Sequence, residues 1–126
     1  MVVLADTSLR TEERMLLGRF IADLEASLGE ELHAVWLFGS RARGEEPVDE
    51  DSDVDLLVLV RDASWDGRGR VHVVLATAAE DLHLAGLEWS FSVHVRTPEW
   101  LAGRREIRSF FMAEVDRDKV VLYGSG

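Results

Sequence analysis

The stretch Trp36-Leu37-Phe38-Gly39-Ser40-Arg41-Ala42-Arg43-Gly44, followed eight residues after Gly44 by Ser52-Asp53-Val54-Asp55-Leu56-Leu57-Val58-Leu59-Val60, decides the fold. An apolar run leads into a Gly-Ser turn, and a second apolar run opens with two carboxylates one residue apart. Side chains alternate across a strand, so Asp53 and Asp55 leave the same face, about 6 to 7 Å apart along the chain. Two hard oxygen ligands on one face suit magnesium carrying phosphates. Gly39 permits a tight turn that brings backbone N–H groups and the Ser40 hydroxyl close to an anion. A helix starting from Arg41 would add its positive N-terminal dipole there. Together the two halves imply a site for a metal-bound nucleotide triphosphate.

The run Gly-Ser-Arg-Ala-Arg-Gly, then a loop, then Ser-Asp-Val-Asp-Leu, closely resembles the signature of the DNA polymerase beta-like nucleotidyltransferases, in particular their minimal (MNT-type) members. That resemblance implies an α/β (α+β) fold, a short mixed β-sheet with helices packed mainly on one side. It makes Gly39 and Ser40 the phosphate contacts of an NTP, with ATP as the first candidate. It makes Asp53 and Asp55 the catalytic ligands of Mg²⁺ or Mn²⁺. A third carboxylate is expected on the strand around Glu88 to Arg96, where this chain offers Ser90 or Ser92. Glu88 has the right parity, but about 13 Å of strand separates it from Ser92. His94 is a further group able to accept a proton near neutrality. Minimal members commonly pair with a small helical HEPN-domain protein, sometimes as its antitoxin, which implies a protein partner.

Other motif readings fail on the residues. Gly39 and Gly44 have P-loop spacing, but Glu45-Glu46 stands where Lys and Ser or Thr should follow. Asp49, Asp51 and Asp53 alternate as in a calcium loop, yet Val54 replaces its glycine and Val60 its final glutamate. Cysteine is absent and the four histidines show no paired spacing, so a zinc site is unsupported.

The 126 residues suit a single domain over 1–126 with its own core, and 47% hydrophobic against 30% charged residues places the chain among globular proteins rather than disordered ones. The lack of cysteine fits a reducing compartment. Met1-Val2-Val3-Leu4 is too short for a signal peptide or span and Asp6 follows it, so a cytoplasmic location without membrane contact is expected. A formal charge of −10 opposes generic nucleic-acid binding, and seven of the eleven residues from Glu45 to Asp55 are carboxylates. A metal ion would relieve that repulsion. The loop from Glu45 to Asp51 could also steer a basic partner.

Around this centre, apolar residues from Met15 to Leu28 recur at three- and four-residue spacing and predict a helix from about Leu9 to Leu28, stopped by Gly29. Leu32 to Phe38 and Val54 to Val60 read as buried, neighbouring strands. Ala63 to Arg70, with Gly67 and Gly69, reads as a connection. Arg70 to Ala85 follows as a helix containing His72 and His83. Glu88 to Arg96 alternates as a third strand, with Trp89, Phe91, Val93 and Val95 on one face. Thr97-Pro98 caps a helix, Arg104 to Glu114 forms another, and Val120 to Tyr123 a terminal strand with residues 124–126 fraying.

The residues support two functions. One is an enzyme that moves a nucleoside monophosphate from an NTP to an acceptor hydroxyl, with metal bearing most of the charge. The other is a catalytically weak or inactive module that binds nucleotide or a partner, as the antitoxin-like half of a HEPN/MNT pair would. The paired aspartates and Gly-Ser turn favour the first, and the missing third acid favours the second.

Overall fold

The computed structural model describes residues 7–44, 53–107 and 109–126. The acidic loop from Glu45 to Asp51, expected to steer a partner, and the segment Met1 to Leu4 lie outside them.

Helix α1 (Thr11–Leu28) leads through a 3-10 turn (Gly29–Glu31) into strand β1 (Leu32–Phe38) and the single turn α2 (Gly39–Ala42). Strand β2 (Val54–Val60) and helix α3 (Trp65–Asp81) follow, then a second 3-10 turn (Leu87–Ser90) and strand β3 (Phe91–Arg96). Helices α4 (Pro98–Glu106) and α5 (Phe110–Asp118) precede strand β4 (Val120–Gly124). The sheet order is β3-β2-β1-β4, with β2 and β3 parallel and the other pairs antiparallel. This is the mixed α/β sheet that the sequence implied.

Because β1 and β2 are apolar on both faces, each face needs a cover. The two long helices cover one: Leu16, Leu17, Phe20 and Leu24 of α1 and Val71, Leu75 and Ala78 of α3 pack with Val35, Leu37, Leu56 and Val58. The short helices cover the other, where Leu101, Met112 and Val115 meet Ala34, Trp36, Leu57 and Leu59. Phe38 belongs to this second face. So does Asp55, which alternates with Leu56 and shares the parity of Leu57.

Several boundaries differ from expectation for local reasons. Helix α1 starts at Thr11 rather than Leu9, because the Glu13 carboxylate accepts from the Arg10 backbone N–H (2.7 Å), and Met15 faces solvent. Helix α3 starts at Trp65, five residues before the expected Arg70. Asp62 accepts from the Ser64 N–H (2.9 Å) at its entry, and a Cβ on Gly67 would lie 2.0 Å from the Asp62 carbonyl oxygen. Gly67 therefore serves a close approach rather than a break. The helix ends at Asp81, so His83 lies beyond it, in the left-handed region at φ 59°.

The third strand begins at Phe91, not Glu88. The preceding turn leaves Trp89 exposed, and the Glu88 carboxylate accepts from the Gly86 N–H. Thr97 caps α4 as expected, accepting from the Trp100 N–H (3.1 Å). The helix expected over Arg104 to Glu114 is two helices, parted after Glu106, with the Ser109 N–H bonded to the Arg104 carbonyl (3.0 Å). The chain end is held rather than frayed: Gly124 pairs with Ala34, and the Trp36 indole N–H donates to the Ser125 carbonyl (2.8 Å).

Candidate nucleotide and metal site

Strand register assembles the site. Phe38 pairs with Asp55, so the Gly-Ser turn leaving β1 stands against the carboxylate opening β2. Gly39 has φ 78°, and a Cβ there would lie 2.4 Å from Asp55 Oδ2. Backbone conformation and close contact thus both demand glycine. The turn then winds into α2, which begins at Gly39, two residues earlier than Arg41, and is only four residues long.

In front of the turn lies a cavity of about 320 Å³ lined by Phe38, Gly39, Ser40, Arg43 and Asp55, with Phe111, Glu114 and Val115 from α5. Burial raises the Asp55 pKa above its ordinary value, and the neighbouring Asp53 charge raises it further, while Arg43 opposes both. Asp53 itself is exposed. Two carboxylates that repel each other beside a cavity, both hard oxygen donors, fit a divalent cation, whose charge would reverse that penalty. The expected site residues Gly39, Ser40 and Asp55 are therefore brought together, with Asp53 close enough to act on Asp55.

On the other side of Asp55, β3 pairs in parallel and sets Ser92 directly beside it. Ser90 lies outside the strand, its hydroxyl donating to the Leu87 carbonyl (2.7 Å), and Glu88 is occupied in the same turn. Neither can supply a third acid at Asp55. Among the described residues no cluster of three metal-ligating side chains occurs. The Ser92 hydroxyl lies 3.4 Å from His94 Nε2, and the ring of His94 packs near Phe38 (5.7 Å) and Phe111 (6.3 Å). Burial, with help from Arg96, lowers the His94 pKa and so favours its neutral imidazole.

Behind the turn, Arg41 is buried and its guanidinium bonds the buried Glu13 carboxylate and the Ser8 carbonyl (3.2 Å). The Ser8 N–H returns a bond to the Arg41 carbonyl (3.0 Å). The sequence showed Arg41 in the motif but not this purpose, since its partner lies 28 residues away. The contribution of α5 was equally hidden. The signal that could have found it is the adjacent pair Phe110 and Phe111, both of which the structure leaves exposed.

The family described as Polymerase beta, Nucleotidyltransferase matches residues 21–88, more than half of the chain and both halves of the site. The chain belongs to that family. Among solved structures, a toxin-antitoxin with AMP-PNP is similar at 20% identity and TM-score 0.51, over 84% of this chain and 72% of that one. A mutant of the toxin-antitoxin MntA-HpeT is similar at 18% identity and TM-score 0.46, over 83% and 71%. No curated protein matches. The first similarity shows a shared fold. Among the described residues, no helix is long and apolar enough to cross a membrane.

Proposed function

We propose that this nucleotidyltransferase-family chain takes an NTP, with ATP as the first candidate, and transfers its nucleoside monophosphate to an acceptor hydroxyl, on a partner protein of the HEPN type. One observation carries the reading: the Phe38–Asp55 register, which sets the Gly-Ser turn against a desolvated carboxylate at the mouth of a cavity. Gly39 and Ser40 bind the triphosphate through backbone N–H groups and the hydroxyl. Asp53 and Asp55 would hold Mg²⁺ or Mn²⁺. When bound, that ion supplies charge neutralisation at the phosphates and orientation of the reacting groups. The acceptor oxygen forms a bond to the α phosphorus, the bond to the bridging oxygen breaks, and pyrophosphate leaves. The hydroxyl proton goes to a base, for which the neutral His94 imidazole is the candidate on this face.

A second reading is favoured by Ser92, which stands beside Asp55 where family members carry a third carboxylate. On that reading the chain binds nucleotide and a partner with little or no turnover, as an antitoxin-like half. The similarity to a toxin-antitoxin structure supports a partner under either reading. Incubation with labelled ATP, Mg²⁺ or Mn²⁺ and candidate HEPN proteins, followed by intact mass, separates them. A partner gaining a nucleoside monophosphate supports transfer, and nucleotide binding without any mass gain supports the second reading.

A further inference from the structure

In a chain of charge −10, several arginines, among them Arg19, Arg43, Arg105 and Arg117, sit on carboxylates. Arg96 and Arg104 depart from that pattern: among the described residues neither has a carboxylate within ion-pair distance. They instead approach the ring of Trp100, at 5.2 and 5.4 Å from its centroid. Like charges that converge without a counter-charge cost free energy. Here the cost is visible on Arg96, whose pKa is lowered by burial and then by Arg68 and Arg104. His94 borders the same hollow, which is about 260 Å³ and also lined by Ser109 and Phe111. Phe111 lines this hollow and the cavity at Asp55 alike, so the two adjoin.

We propose that the hollow between β3, α4 and the start of α5 is a phosphate-binding pocket, in which Arg96 and Arg104 hold the anion and Trp100 fixes their planes. Guanidinium groups match phosphate oxygens two at a time, and their stacking on an aromatic ring preorganises that fork. Ser109, which carries a hydroxyl, lines the same wall. Arg96 pairs with Leu59 and Ser92 with Asp55, four residues apart along parallel strands, or about 13 Å. A phosphate held here would therefore belong to the acceptor side, carried by the partner beside the hydroxyl that reaches Asp55. That last assignment rests on the transferase reading, whereas phosphate binding itself does not.

The test follows the Trp100 indole N–H signal by NMR, identified among the four tryptophans by its loss in Trp100→Phe, during titration with inorganic phosphate and with ribose 5-phosphate at constant ionic strength. A saturable shift is expected in the parent chain and in Asp53→Asn/Asp55→Asn. It should weaken about tenfold or more in Arg96→Gln/Arg104→Gln and by less in Arg96→Lys/Arg104→Lys, which keeps the charge if the glutamine variant does not fold. Tighter binding of ribose 5-phosphate assigns the pocket to a phosphorylated acceptor, and equal or weaker binding assigns it to free phosphate. No saturable shift, the same shift with chloride alone, or undiminished binding in both arginine variants overturns the pocket. Loss only in the aspartate variant overturns it too, by placing the phosphate at the Gly-Ser turn.

Discussion

The two sides of the Gly-Ser turn handle charge in opposite ways. Behind it, Arg41 and Glu13 form a buried pair of opposite sign, bonded to each other and to backbone groups. In front of it, Asp53 and Asp55 are of like sign, and burial works against Asp55. A charge that serves the fold finds its counter-charge within the chain. On the proposed function, the charges in front of the turn are left costly until their ligand arrives.

The sharpest way to break this contrast is to attack the rear pair. Arg41→Met leaves Glu13 buried without its cation, and should cost about 3 to 5 kcal/mol of stability, read by urea denaturation. A loss below about 1 kcal/mol would show that the pair is not what anchors the turn to α1.

At the front, the turn itself is next in size. Gly39→Val forces a β-branched residue to φ 78° and drives a side chain into the Asp55 carboxylate, so nucleotide affinity should fall by more than about tenfold. Ser40→Ala removes one hydrogen bond, worth about 0.5 to 1.5 kcal/mol, and should weaken binding by about tenfold at most. Calorimetry on both variants settles the order, and the reverse order would make the hydroxyl the dominant contact.

Much of this was legible in the sequence because it is local. The apolar runs 32–38 and 54–60 became strands with those bounds, and the turn with its two aspartates came together as their pairing required. Departures came where individual contacts overrode the apolar pattern and the turn signals. Gly67 and Gly69 read as a break, but the Asp62 carbonyl needs the space at Gly67 and the helix runs through both. The alternation from Glu88 promised a strand, yet side-chain bonds of Glu88 and Ser90 close a turn there. Residues 124–126 looked like a loose end because their anchor, the Trp36 indole, is far away in sequence.

A smaller effect sharpens the front of the comparison. The Asp55 pKa is raised above 3.8, so folding favours its protonated form. Without metal, the ionised carboxylate therefore costs stability at neutral pH, and that cost disappears as pH falls through the raised value towards 3.8. Asp55→Asn should raise the metal-free Tm at pH 7, with the gain fading on acidification. A lower Tm for Asp55→Asn under the same conditions would mean that Asp55 is a structural acid after all.

Smallest in expected binding effect is Ser92→Asp, which restores a carboxylate beside Asp55. Metal-dependent transfer should rise while nucleotide affinity changes by less than about tenfold. A variant that binds metal and nucleotide but is no faster than the parent would remove the missing acid as the limit on turnover.

On the proposed function, Asp53 and Asp55 would hold a divalent ion against the triphosphate at the Gly-Ser turn. Calorimetry of ATP with Mg²⁺ on the parent chain and on Asp53→Asn/Asp55→Asn tests it most directly. Binding by the parent, abolished in a double variant whose circular dichroism is unchanged, is the result predicted here. Equal affinity in the two proteins would contradict it.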